Sequence, residues 1–188
     1  FYISEAVNTA KNADVALLFI GLTDEFETEG NDRKHLHIPE LHNKLVEEVL
    51  KVNKNVVVVL SGGASIEMPW ADDVPAILNM FLTGQAGGSA VCDILFGDVN
   101  PSGKLSETYP LALEDNSSHN YFPGTPVSVE YREGVYVGYK YYDTAEKEVA
   151  FPFGHGLSYT TFQYSDIKVS ADSIKDTDTV TVSFKIKN

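Results

Sequence analysis

Three short apolar runs decide the fold, and the first of them, VALLFI, occupies residues 15–20 and ends in Gly21. The second, NVVVVL, occupies residues 55–60, and the third, AILNMFL, occupies residues 76–82. Each is apolar at successive positions and is followed by a glycine-containing turn. Short runs that are apolar on both faces are typical of strands in a parallel sheet with helices on each side. The sequence therefore predicts three such strands.

Helical periodicity surrounds these runs. Residues 39–50 carry apolar side chains at helical spacing, and Pro39 stands where a first-turn proline belongs. A second pattern covers residues 88–96 and stops at Gly97. A helix over residues 4–13, with Ser4 as its N-cap, is predicted before the first strand. This order predicts the α/β class, with an open, mostly parallel sheet of at least three strands and flanking helices.

The character of the chain changes after residue 109. Residues 110–157 are rich in aromatic and turn residues and predict an irregular connection that packs over a surface. In residues 158–188 apolar and polar side chains alternate, which predicts the first strands of an incomplete β-sandwich. Because the last alternating run has no turn or cap after it, we expect the chain to be an internal piece of a longer protein.

Composition excludes several classes of function. The 188 residues are 43% hydrophobic and 22% charged, as in ordinary globular proteins. A net charge of −13 disfavours nucleic acid and anionic membranes as partners. No run approaches the roughly 18 apolar residues of a membrane helix. A single cysteine, Cys92, excludes a disulfide framework and a cysteine zinc site. The sequence determines neither the oligomeric state nor whether the protein is cytoplasmic or secreted.

The most informative candidate site is the acidic loop DEFETEGNDR at residues 24–33, which follows the first strand. In an open parallel sheet, ligands bind outside the carboxyl ends of the strands. A solvated acidic loop is one interpretation. A calcium loop is disfavoured because Phe26 stands at the second ligand position.

The alternative is a carboxyl group braced for catalysis. Glu29 precedes Gly30, which lets the loop turn tightly, and we expect Asp32 and Arg33 to pair and anchor the loop's exit. A glycosidase needs such a carboxylic acid to protonate the departing oxygen, with a second carboxylate opposite it.

Other motifs are less specific. The turn GQAGG at residues 84–88 lacks the spacing of a dinucleotide loop, and no Walker lysine follows it. Ser61 and Ser65 are not in a nucleophile elbow. His35 and His37 are interpreted as surface histidines, so no metal and no cofactor are predicted. A nucleotide-binding α/β domain is kept as an alternative.

Four segments resemble family 3 glycoside hydrolases, the β-glucosidase family, and occur in family order over nearly the whole chain. They are ETEGNDR (27–33, similar to E-x-E-G-x-D-R), GDVNPSGKL (97–105, similar to G-D-x-x-P-S-G-K-L), YREGVYVGYKYY (131–142, similar to Y-x-E-G-x-x-V-G-Y-R-Y-Y) and FPFGHGLSYT (151–160, similar to F-P-F-G-x-G-L-S-Y-T).

The resemblance implies an N-terminal barrel, an α/β sandwich domain and often a fibronectin type III-like domain. On that basis residues 1–109 are the later part of the sandwich domain, residues 110–157 are the connection, and residues 158–188 begin the type III-like domain. The chain's partners are then a carbohydrate substrate and the barrel of the same protein. A non-catalytic carbohydrate-binding or scaffold domain of the same fold is the alternative.

The resemblance also implies a retaining β-glycosidase, most closely a β-glucosidase, in which a barrel carboxylate attacks the anomeric carbon. The acid/base is then Glu29, with Glu27 as the runner-up, and Gly30, Asp32 and Arg33 support the loop. Because the nucleophile lies outside this chain, we expect the chain alone to be inactive. The motifs do not name the sugar.

Overall fold

A three-stranded parallel sheet forms the first part of the protein. The computed structural model describes residues 2–188. In the sheet, strand β1 (Ala16–Gly21) pairs with β2 (Val56–Ser61), which pairs with β3 (Ala76–Asn79). The run of β-branched valines suits β2 to this central place, because such side chains pack well on a pleated surface. The predicted fold class is confirmed.

Four α-helices lie among the described residues: α1 (Tyr2–Lys11), α2 (Glu40–Leu50), α3 (Gly87–Leu95) and α4 (Tyr139–Thr144). Helices α1 and α2 pack on each other, and α2 packs on β1 and β2. None of these helices is long and apolar enough to cross a membrane.

Several element ends differ from the prediction. Helix α1 already includes Tyr2, so Ser4 lies inside the helix and does not cap it. Pro39 is extended, with φ −49° and ψ 130°, and acts as the N-cap of α2 instead of entering its first turn. Strand β3 ends at Asn79, three residues before the end of its apolar run, and Phe81 has a φ of 50°. A left-handed backbone cannot continue a strand, which accounts for the early end.

The core lies between α2 and one face of the sheet. Val46 and Val49 of α2 and Val58 of β2 are fully buried. On β1 burial alternates: Leu18 and Ile20 are buried, whereas Leu17 and Phe19 are exposed by 43% and 63%. Helices lie on both faces, as predicted, but on the second face α3 leaves these two β1 side chains exposed. On the second face, β1 and α3 border an open groove of about 610 Å³.

Two of the family-like motifs pair with each other at the end of the α/β part. The N–H of Leu105 donates to the carbonyl of His155, and the N–H of Gly154 donates to the carbonyl of Leu105, both at 2.8 Å. The Asn100 Oδ1 accepts from the Ser158 hydroxyl at 3.1 Å. These contacts hold residues 154–158 against the segment that follows α3.

The final part is an antiparallel pair of strands, β4 (Gln163–Val169) and β5 (Val182–Lys187), whose residues are all exposed. Their alternating sequence thus forms the predicted β region.

Candidate functional site

The loop after β1 carries Glu29 at the tip of a tight turn. Thr28 and Asn31 face each other as an isolated antiparallel bridge, so Glu29 and Gly30 are the two central residues. Within residues 2–188, the exposed Glu29 side chain has no hydrogen-bond or ion-pair partner. Its carboxyl group is therefore free to contact a ligand.

Glu27 anchors this turn to the neighbouring strand end. The backbone N–H of Gly63 donates to both carboxylate oxygens of Glu27 at 2.9 Å. Gly63 follows β2, so the contact joins two loops that leave the carboxyl ends of adjacent strands. A Cβ atom at Gly63 would lie 2.7 Å from the Glu27 Oε1 and 3.1 Å from the Leu82 Cδ1. The absence of a side chain at residue 63 is what makes room for the Glu27 carboxylate.

Arg33 anchors the exit of the loop, but not by the predicted contact. The expected ion pair with Asp32 is wrong: no such pair forms among the described residues. Instead, the Arg33 Nη1 donates to the carbonyl of Ser65 at 3.0 Å. The negative charges of Glu27, Glu107 and Glu67 act on the guanidinium, although none of these carboxylates forms an ion pair with it among the described residues. Asp32, by contrast, is exposed.

Burial sets the electrostatics of the Arg33 guanidinium. It lowers the pKa of Arg33, and the surrounding carboxylates, Glu27 first, oppose that shift. The buried Nε and Nη2 atoms have no hydrogen-bond partner in the described part of the chain. Unpaired buried donors cost free energy, so the stability of this group depends on its neighbouring negative charges.

A segment that the sequence analysis did not single out completes the cluster. Burial raises the pKa of Glu107, while the Arg33 charge and a hydrogen bond from the Ser65 backbone act in the opposite direction. Two residues later, the buried Tyr109 hydroxyl accepts from the Asn79 Nδ2 at 2.7 Å. Burial also raises the pKa of Tyr109 to about 12. Asn79 ends β3, so this segment contacts the end of that strand.

One feature of the sequence could have marked this segment as part of the site. Glu107 is a single carboxyl group in the stretch LSETYP, residues 105–110, whose other side chains are apolar or carry hydroxyl groups. An acidic residue among buried neighbours indicates a charge partner elsewhere in the fold. Its identity could not be read from the sequence, because Arg33 is far away along the chain.

The two histidines of the loop pack beside the same cluster. The His37 Nδ1 lies 3.0 Å from the Glu67 Oε2, and the His35 ring lies 4.9 Å from the His37 ring. Over residues 2–188, no group of three or more His, Cys, Asp or Glu side chains could hold a metal ion. In this loop the two histidine rings pack against each other, and His37 contacts Glu67.

Sequence comparisons give consistent matches. The family model described as "Glycosyl hydrolase family 3 C-terminal domain" matches residues 2–159. The thermostable beta-glucosidase B of Acetivibrio thermocellus is 54% identical over 186 residues, which are 99% of this chain and 25% of that protein. The exo-alpha-(1->6)-L-arabinopyranosidase of Bifidobacterium longum is 49% identical over 181 residues, which are 96% of this chain and 24% of that protein.

Solved structures agree with these matches. The beta-glucosidase from Kluyveromyces marxianus in complex with glucose superposes with a TM-score of 0.90 and 42% identity, over 99% of this chain and 22% of that one. The GH3 beta-glucosidase of Bifidobacterium adolescentis gives a TM-score of 0.91 and 46% identity, over 98% of this chain and 27% of that one. The chain spans about a quarter of the length of these relatives.

Proposed function

The chain belongs to glycosyl hydrolase family 3, as its C-terminal domain, and from that premise we propose that it is part of a retaining β-glycosidase, most closely a β-glucosidase. In this proposal the chain supplies the general acid/base and part of the substrate cleft. The observation that carries it is the placement of Glu29. This unpaired carboxyl group stands at the tip of a turn that other side chains hold at the carboxyl ends of the strands.

Retention needs two carboxyl groups with different tasks. A nucleophilic carboxylate, proposed to come from the barrel of the full-length protein, attacks the anomeric carbon as the glycosidic C–O bond breaks. Glu29 gives its proton to the leaving oxygen, and in the second step it accepts a proton from the water that releases the sugar. In retaining enzymes the two groups lie about 5–5.5 Å apart, so the Glu29 turn must be held at a defined position. We propose that the chain alone is inactive.

The contacts favour Glu29 over Glu27 as the acid/base. Both oxygens of Glu27 are engaged by the Gly63 N–H at the base of the turn, whereas Glu29 at the tip is unpaired. In this proposal Gly30 shapes the turn, Arg33 fixes its exit and Asp32 stays at the surface between them. Glu27 then serves as an anchor.

The test is Glu29→Gly in the full-length protein, with an activated aryl glucoside and a natural disaccharide as substrates. Loss of a general acid should abolish turnover of the disaccharide, while the aryl glucoside, whose leaving group needs no proton, reacts far better. Azide should restore turnover of the aryl glucoside, because it attacks the glycosyl-enzyme in place of activated water. Glu25→Gly, an exposed acidic residue of the same loop, is the matched control.

Unchanged activity of Glu29→Gly on both substrates would contradict the assignment of Glu29 as the acid/base. If azide instead rescued Glu27→Gly, the acid/base role would pass to Glu27. The sugar is assigned separately with a panel of aryl glycosides, since the relatives include β-glucosidases and an arabinopyranosidase.

The proposal extends to domain organisation. We propose the later part of an α/β sandwich domain at residues 1–109, a connection at residues 110–157, and the start of a fibronectin type III-like domain at residues 158–188. The family match ends at residue 159 and β4 begins at Gln163, which supports the last boundary. Limited proteolysis should cleave first near that boundary.

A further inference from the structure

We infer that Leu82 is a specificity-determining residue, whose side chain contacts an apolar leaving group of the substrate, such as an alkyl or aryl group. This inference rests on the proposed function, because it takes the position of the leaving group from the role of Glu29. It concerns a side chain outside the E-x-E-G-x-D-R loop, on the turn that follows β3.

The Leu82 side chain is open to solvent beside the anchor of the acid/base turn. It is 71% exposed. A Cβ atom at Gly63 would lie 3.1 Å from the Leu82 Cδ1 and 2.7 Å from the Glu27 Oε1. The Leu82 methyl group and the Glu27 carboxylate are therefore at most about 6 Å apart, the sum of these two distances. Leu82 thus lies at the carboxyl ends of the strands, where ligands bind in an open parallel sheet.

The backbone that precedes Leu82 is strained. Phe81 has a φ of 50°, a left-handed conformation that residues other than glycine rarely adopt, because the Cβ atom then crowds the backbone carbonyl. Such strain persists only where the surrounding structure enforces it, and it is concentrated at active sites and ligand-binding positions. Single exposed apolar side chains are common on protein surfaces. The strain at Phe81, together with the proximity to Glu27, indicates that this one has a function.

Hydrogen bonds hold Phe81 in this conformation at both of its backbone polar groups. Its N–H donates to the Asn79 Oδ1 at 3.3 Å, and the Asn79 Nδ2 donates to the buried Tyr109 hydroxyl at 2.7 Å. Its carbonyl accepts from the Gly62 N–H at 3.3 Å. Phe81 is thus fixed to the last residue of β3 and to the residue that follows β2, so the backbone at Leu82 starts from a defined position.

The chemistry of the proposed reaction indicates which part of the substrate meets Leu82. The acid/base gives its proton to the oxygen that joins the sugar to the leaving group, whereas the nucleophile attacks the opposite side of the anomeric carbon. A side chain beside the acid/base turn therefore faces the leaving group. Apolar side chains in binding sites supply contact area, while a few polar groups fix the orientation of the ligand. Leu82 offers an apolar contact that an alkyl or aryl group can cover.

The experiment compares hexyl β-glucoside with methyl β-glucoside as substrates of the full-length protein. The two substrates share the sugar and differ only in the length of the apolar tail. Leu82→Ala should lower kcat/KM for the hexyl glucoside about 3- to 10-fold through a higher KM, because the lost contact is made in the ground state and the transition state alike. The methyl glucoside, which does not reach Leu82 with a tail, should change by less than about twofold.

Two further variants are the controls. Leu82→Met keeps an apolar side chain of similar volume, so its ratio of kcat/KM values for hexyl and methyl glucoside should stay within about twofold of the wild type. Leu41→Ala, at a leucine of α2 that is 68% exposed, should alter neither substrate. An unchanged hexyl-to-methyl ratio in Leu82→Ala, whether both substrates lose equally or neither does, would overturn this inference and leave Glu29 as the acid/base. Unchanged activity of Glu29→Gly would overturn the proposed function, whereas the ratio tests Leu82 alone.

Discussion

Gly63→Ala tests whether the anchor of the turn controls catalysis. The added Cβ would lie 2.7 Å from the Glu27 Oε1, whereas ordinary contact begins at 3.4 Å. The carboxylate must therefore retreat by about 0.7 Å, the difference between these distances. The φ angle of Gly63 is outside the left-handed region, so alanine adds no backbone strain of that kind. The perturbation thus falls mainly on the contact with Glu27 and to a smaller extent on the Leu82 Cδ1, which would lie 3.1 Å from the added Cβ.

The size of the effect follows from that contact. A hydrogen bond to a charged group contributes about 1.5–3 kcal/mol. Solvent exposure at Gly63 reduces this to about 1 kcal/mol. A loss of about 1 kcal/mol lowers the ratio of the anchored to the released turn about fivefold. In molecules that keep the anchor, the shifted Glu27 carboxylate also misplaces Glu29. The expected fall in kcat therefore lies between about 5-fold and 100-fold.

The assay is steady-state kinetics of the full-length protein on a disaccharide, together with thermal unfolding. Because the Glu27 side chain can move at little cost, Tm should change by less than about 4 °C. Gly103→Ala is the control, since its Cβ would meet no atom within 4 Å. If Gly63→Ala keeps full activity on the disaccharide, the Glu27 anchor does not position the turn and the reasoning is refuted.

Two further predictions concern stability. Burial raises the pKa of Tyr109 to about 12 in the folded protein, against 10.0 for the ordinary side chain. Between these values the folded protein keeps the Tyr109 proton while the unfolded chain loses it. The contribution of Tyr109 to the free energy of unfolding is therefore complete below pH 10 and is lost as the pH rises towards 12. Urea unfolding between pH 9 and 11 should therefore show a steeper loss in the wild type than in Tyr109→Phe, and equal slopes would contradict the burial argument. Asn100→Ala removes the acceptor of the Ser158 hydroxyl, so residues 156–160 should be cleaved faster in limited proteolysis. An unchanged cleavage rate would show that this contact does not hold the segment.

The elements that follow from local pattern were predicted well. Strands β1 and β2 and helices α2 and α3 lie within a residue or two of the predicted ranges, because each depends on a period or a run of apolar side chains. Strand β3 was predicted too long, since no apolar run reveals the left-handed backbone at Phe81. The sequence likewise did not predict that one face of β1 is exposed, because Leu17 and Phe19 look like core residues.

In the candidate site too, the features that depend on local sequence were predicted, whereas contacts between distant residues were not. The motif singled out Glu29 and its loop, and the Glu–Gly pair indicated a tight turn. The partner of Arg33 was predicted wrongly, because Asp32 is adjacent in sequence while Ser65 is 32 residues away. Glu107, farther still along the chain, was missed.

By itself the sequence determined the α/β class, the family and the loop that carries Glu29, because these depend on periodicity and on residues close together in the chain. Only the tertiary structure decided which side chains hold that loop. Parallel pairing brings the carboxyl ends of β1, β2 and β3 to one edge, where residues distant in sequence meet. Burial at that edge then turns Arg33 away from its exposed neighbour and towards the Ser65 carbonyl and the enclosed carboxylates, since a half-buried charge must find its partners inside the protein.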